Sequence, residues 1–250
     1  MTLSASVFDV AQDFAVEFVE IIGRTRRGPL AELWSVPFEL VKPVRAFPSF
    51  RGQTSFPGLY YAATMDVHVG FESWAERDVA MMLDFDPDVV GFSSQPFWLT
   101  WHQGGEERRR APDYFARRAD GTGTVIAVKA DDSIEPADAA ALAATELACR
   151  EVGWAFRRTA GPDPMLAANV RWLAGYRHAR CFRSDVAPAL TEVFAEPMPL
   201  MSGALLAGDP LAVLPVLYHL LWKHALVVDL RNGLLGSGSI VSLKHREPVR

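Results

Sequence analysis

Two carboxylates and a lysine have the residue types and setting for hydrolytic chemistry. Asp113 follows Pro112 at the start of an alternating stretch in which Asp113, Phe115 and Arg117 share a face, and Lys129 closes a second such stretch beginning at Thr124. Because side chains alternate along a strand, Ala127 and Lys129 point the same way. Upstream, Glu72 and Glu76 lie four residues apart and share one side of a helix. Carboxylates grouped in this way hold a hard divalent cation, which acts as a Lewis acid and lowers the pKa of its bound water. A lysine beside them orients that water and offsets negative charge developing on a phosphodiester under attack. Each piece also has a plain structural reading: Glu72 and Glu76 are equally first-turn acids complementing a helix dipole.

These residues need elements to position them. A helix is expected from Ser73, a plausible N-cap with Glu76 three positions on, and ending before Pro87. Val89 to Trp101 reads as a strand interrupted at Pro96. Residues 112 to 129 read as a hairpin around Asp120-Gly121-Thr122-Gly123, followed by an alanine-rich helix from Pro136 to Val152 and a strand from Trp154 to Arg158. The order helix, strand, hairpin, helix, strand implies an α/β fold with a mixed sheet flanked by helices. Residues 1 to about 45 are expected to be helical, with a stripe through Phe8, Val10, Phe14, Phe18 and Ile22, and Tyr60 to Val69 has strand character.

Gly161-Pro162-Asp163-Pro164 is the expected domain boundary, dividing residues 1–160 from 161–250. Beyond it come helices at Met165–Tyr176, Asp185–Phe194 and Leu211–Ala225, a strand at Leu226–Leu230, a turn holding Gly233, Gly236 and Gly238, and a strand at Ile240–Leu243. Helices followed by a small hairpin suggest a winged-helix-like module.

Composition narrows the function classes. The chain has 250 residues, half of them hydrophobic, and a formal net charge of -5. That charge argues against coating nucleic acid by bulk electrostatics, but leaves room for local basic patches such as Arg108–Arg110, Arg117–Arg118 and Arg157–Arg158. No apolar run reaches the roughly 20 residues needed to span a bilayer, and the opening MTLSASVFDVAQDF lacks the pattern of a secretion signal. Cys149 and Cys181, in apolar surroundings, are expected to be free thiols of a reducing cytoplasm. The six histidines show no paired zinc-ligand spacing. Trp98, Trp101, Trp172 and Trp222 are expected in the core.

The runs HVGFESWAERDVAMMLDFDPDVVGFSSQPF and RRAPDYFARRADGTGTVIAVKADD, with the later VGWAFRR, NVRWLAGYRH and LPVLYHLLWKHALVVDL, resemble the TnsA family, endonuclease subunits of heteromeric transposases. The likeness covers about residues 45 to 245. It implies a restriction-endonuclease-like fold of the PD-(D/E)xK superfamily, with Glu76, Asp113 and Lys129 as catalytic residues. Glu76, Asp113 and the Val128 carbonyl would hold Mg²⁺ or Mn²⁺, and Arg109, Arg110 and Arg117 would contact DNA. It also implies cleavage of the non-transferred strand at double-stranded transposon ends, in company with a DDE-type transposase subunit and an ATP-dependent regulator. The chain departs from the pattern at Ala127, where the superfamily carries Glu, Asp or Gln; Asp131, Asp132 and Glu72 are candidate substitutes. That departure keeps open a non-catalytic subunit bridging DNA ends and partners, and beside it a stand-alone restriction or repair nuclease.

Overall fold

A computed structural model describes residues 13–47, 56–130 and 135–244. In chain order the elements are β1 (Ala15–Val19), β2 (Thr25–Pro29), α1 (Leu30–Leu33), β3 (Gly58–Ala62), β4 (Val67–Phe71), α2 (Trp74–Phe85) and β5 (Val89–Ser94). There follow β6 (Trp98–Gln103), β7 (Glu106–Arg110), β8 (Tyr114–Arg118), β9 (Gly123–Val128), α3 (Pro136–Glu151) and β10 (Ala155–Thr159). Last come α4 (Pro164–Ala174), α5 (Ala187–Val193), β11 (Met198–Pro199), α6 (Leu200–Ala207), α7 (Pro210–Trp222), β12 (Leu226–Val228) and β13 (Ile240–Leu243). The architecture is mixed α/β. Among the described residues no helix is long and apolar enough to cross a membrane.

The chain forms two compact units, Met1–Pro48 with Gly91–Ala160, and Ser49–Val90 with Gly161–Arg250. The sequence boundary at Gly161 coincides with one crossing between units. Residues 49–90, assigned from sequence to the N-terminal domain, group instead with the C-terminal part.

In the first unit, one sheet has the order β2-β1-β6-β7 and a second the order β10-β9-β8-β5. The expected N-terminal helix is a strand over Ala15–Val19: Phe14, Val16 and Phe18 are buried at alternate positions and β1 pairs with both β2 and β6. Phe8 and Val10 lie outside the described residues. In the second sheet β8 and β9 are antiparallel, with Phe115 opposite Val125 and Tyr114 opposite Ile126, while β9 and β10 run parallel. Parallel neighbours need a crossover, and α3 supplies it. Its Ala144, Ala148 and Cys149 join Phe115 and Val125 in one core with Phe18, Phe38, Phe97, Leu99 and Trp154. Phe38 is central, meeting Phe18, Phe97, Phe115 and Trp154 edge-on at centroid distances of 4.9 to 5.6 Å.

The Asp120-Gly121 turn closes β8 and β9, with Gly121 at φ +87, a conformation glycine adopts without a Cβ penalty. Burial pushes the Cys149 thiol up to about 12, as an inert apolar-core thiol requires; Cys181 is half-buried and also free.

In the second unit the hairpin β3–β4 is tied to α2 by Asp84, whose buried carboxylate accepts from Tyr60 Oη at 3.0 Å and from the amides of Ala63 and Thr64 at 3.0 and 2.8 Å. Burial, then the Asp84 charge, raises the Tyr60 phenol well above its ordinary range. Downstream, α5 packs on α6 and α7, which in turn meet β11 and β12 of a three-stranded sheet of order β11-β13-β12. Helix α6, not expected from sequence, lies between Pro199 and Gly208-Asp209-Pro210. Of the four tryptophans expected in the core, Trp101 and Trp222 are buried, Trp98 is half-buried and Trp172 is exposed.

The glycine-containing loop between β12 and β13 is held by Asn169 of α4. Its amide nitrogen donates to Leu230 O and Gly233 O at 2.9 and 2.7 Å, and its oxygen accepts from Leu235 N at 2.8 Å. Asn169 is 2% exposed. Asn169→Ala strands these groups, and the expected cost is about 1–3 kcal/mol, with faster hydrogen exchange at Leu235. An unchanged Leu235 exchange rate would refute this clamp.

Candidate active site

The end of the β10-β9-β8-β5 sheet gathers residues from all four strands. Asp113, just before β8, takes two consecutive bonding positions on the edge of β9. Its amide donates to Ile126 O at 3.1 Å, and its Oδ2 accepts from Val128 N at 2.6 Å. The carboxylate thus stands where a strand carbonyl would, between the levels of Ala127 and Lys129. Lys129 N donates to Thr159 O at 2.8 Å, so the β9–β10 ladder continues through the lysine. Gln95, just past β5, donates its amide to Asp113 O at 3.0 Å.

Strand alternation decides the faces. Val125 packs in the core under α3, so Ala127 and Lys129 face the same side as that helix. Ala127 is buried. Lys129 Nζ reaches Asp138 Oδ2 in the first turn of α3 at 2.8 Å, and Arg110 Nη1 lies 3.6 Å from Asp138 Oδ1. The hydrogen bond from Lys129 holds the Asp138 carboxyl below its ordinary value; burial opposes this, and the charges of Lys129 and Arg110 add to the lowering. With its folded pKa depressed, this pairing is present above the ordinary carboxylate range and is lost as pH falls through the folded value.

The structure therefore brings Asp113, Val128 and Lys129 together. Glu76 belongs to the other compact unit. There it closes a capping box on α2: Ser73 Oγ accepts from Glu76 N at 3.2 Å and donates to Glu76 Oε1 at 3.1 Å, while Glu76 Oε2 accepts from Glu72 N at 2.8 Å. Glu76→Ala is expected to cost about 1 kcal/mol, and Glu76→Gln, which also serves in such a box, much less. Thermal melts of the two variants check this; equal losses would contradict it.

Of the three arginines expected to face DNA, Arg117 is committed within the unit, donating to Glu39 Oε2 at 3.2 Å, Gly121 O at 3.0 Å and Val36 O at 3.1 Å. Arg110 is mostly covered beside Asp138. Arg109 is exposed, its guanidinium 4.5 Å from the Trp98 ring centroid.

Magnesium-type cations need only one or two protein carboxylates when water and substrate phosphate complete the octahedron. The Asp113 carboxylate and the Val128 carbonyl fit that lower limit. The Ala127 side chain offers no oxygen, and among the described residues no three His, Cys, Asp or Glu side chains gather as a metal site. Asp131 and Asp132 lie outside the described residues. Sequence reasoning missed Asp138, whose only signal is that of an acid two residues after a helix-opening proline.

No known protein family matches the chain by sequence, and no curated protein matches it.

Proposed function

We propose that the chain is a TnsA-like endonuclease subunit of a heteromeric transposase, hydrolysing phosphodiester bonds of the non-transferred strand at transposon ends with Mg²⁺ or Mn²⁺. The observation that carries this is the meeting of Asp113, Val128 and Lys129 at one end of the β10-β9-β8-β5 sheet. Within the first unit the order β5, β8, β9, α3, β10, interrupted by the β6–β7 hairpin and with β9 and β10 parallel, supports a restriction-endonuclease-like core.

Asp113 and the Val128 carbonyl are the groups to hold the cation, which supplies Lewis acidity and a water of lowered pKa. Lys129 adds a fixed positive charge for the scissile phosphate. Exposed Arg109 is placed for a backbone phosphate, a contact that positions DNA without reading its sequence.

The order α5, β11, α6, α7, β12, β13 with sheet order β11-β13-β12 agrees with a winged-helix-like module. Its α7 reads PLAVLPVLYHLLW, with no lysine or arginine to meet a DNA groove. That favours contact with the DDE-type subunit or the ATP-dependent regulator over base reading.

The second reading, a non-cutting subunit that bridges DNA ends and partners, is favoured by Ala127 alone. Purified chain is incubated with plasmid carrying transposon ends and Mg²⁺, with and without the partner subunits. Nicking of the non-transferred strand only with partners supports the proposal. Nicking by the chain alone indicates a free-standing nuclease, and end bridging without nicking a scaffold.

A further inference from the structure

The face of β9 that lacks an acid at Ala127 is met by a carboxylate on the neighbouring helix. Ala127 and Lys129 face α3, and α3 crosses from the end of β9 to the parallel strand β10. This geometry sets the first turn of α3 beside the C-terminal end of β9, where Lys129 lies. Asp138 occupies that turn, 2.8 Å from Lys129 Nζ. It therefore presents a carboxylate to the lysine from outside the strand, the relation an acid at 127 would have had from two residues before it.

A separate observation falls at the same end of the sheet. Gln95, bonded through its amide to Asp113 O, is 2% exposed and holds φ at +46, a left-handed conformation uncommon for a residue with a Cβ. Its Oε1 has no hydrogen-bond partner, and neither has the buried Oγ of Ser94 beside it. Buried polar groups are ordinarily satisfied, so two adjacent orphans call for an explanation. A strained Gln95 and two orphaned side-chain atoms beside Asp113 are features that a polar ligand at this sheet end would explain.

We propose that Asp138 takes the place of the acid absent at position 127, so that Asp113 and Asp138 are the two carboxylates offered to a divalent cation at the Lys129 end of the sheet. This rests on the nuclease reading of the site. Two carboxylates satisfy the protein's share of a Mg²⁺ or Mn²⁺ shell that phosphate and water complete. A cation held by Asp138 would compete with its ion pair to Lys129 and so would leave the lysine for the phosphate.

The test is Mn²⁺ binding to the full chain, followed by electron paramagnetic resonance, for the wild type, Asp113→Ala, Asp138→Asn and Asp138→Glu, with a thermal melt of each. Asp113→Ala and Asp138→Asn are expected to weaken binding about tenfold or more, and Asp138→Glu to stay near the wild type. If Asp113→Ala weakens binding but Asp138→Asn lowers only the melting temperature, Asp138 is a helix-end ion pair and the proposal fails while the nuclease reading stands. If the wild type binds no Mn²⁺, or no substitution alters its binding, the proposal and the metal-dependent reading fall together.

Discussion

Phe38→Ala is expected to destabilise the first unit by about 3–5 kcal/mol, the range for deleting a buried aromatic side chain. Phe38 is fully buried in a short turn of 3-10 helix, and its ring meets four others. Edge-on pairs of this kind each add about 0.5–1.5 kcal/mol beyond area burial. The four partners come from β1, the β5–β6 link, β8 and the approach to β10, so no single element can move to fill the space. Ser93 Oγ also donates to Phe38 O at 2.6 Å, fixing the turn from which the ring projects. Hydrogen exchange resolves the effect by unit: amides of β9 and α3 should lose protection while those of α7 keep theirs. A loss below about 1 kcal/mol, or an equal loss in both units, would contradict this account of the core.

Much of the fold was legible because its elements carry local punctuation. Ser73 with Glu76 announces α2, Pro136 opens α3, and Asp120-Gly121 closes the β8–β9 hairpin, each within a residue or two of the observed bounds. The N-terminal region misled because Phe14 and Phe18 satisfy both a spacing of four and a spacing of two. Only pairing with β2 and β6 decides between them, and that information is not local. Strand β7, EERRR, has no apolar alternation because it is an edge strand with solvent-facing side chains; Gly104 and Gly105, both at positive φ, were its one signal. Helix α6, LMSGALLA, is nearly uniform in hydrophobicity and lacks a side-chain cap. Its Gly203 lies so close to the Phe194 ring that a Cβ would stand 2.3 Å from it, a packing reason invisible in sequence.

The candidate site was legible where it follows from strand alternation and chain adjacency. Asp113, Val128 and Lys129 are such residues. Asp138 escaped because its relation to Lys129 depends on the direction in which α3 crosses from β9 to β10. Glu76 was singled out correctly as the acid at a helix start, but its carboxylate answers to Ser73 and the Glu72 amide. Arg117 looked like a basic surface group, yet Glu39, distant in sequence, and two backbone carbonyls take up its guanidinium.

The largest functional effect is expected at Asp113. Its carboxylate is a strand-end acid, bonded to the Val128 amide, that both the sequence motif and the geometry bring forward. Asp113→Ala removes that oxygen donor and also frees the Val128 amide, so stability must be read together with activity. Asp113→Asn retains an oxygen able to accept from Val128 N, and it separates the two effects. The decisive measurement is nicking of the non-transferred strand by wild type, Asp113→Asn and Asp113→Ala, each with partner subunits, Mg²⁺ and transposon-end DNA, at matched DNA occupancy. Both variants should lose about a hundredfold or more in nicking rate, in keeping with the loss of a principal electrostatic group, while Asp113→Asn keeps the wild-type melting temperature. Wild-type nicking rates in folded Asp113→Asn would contradict the claim that this sheet end is the active site.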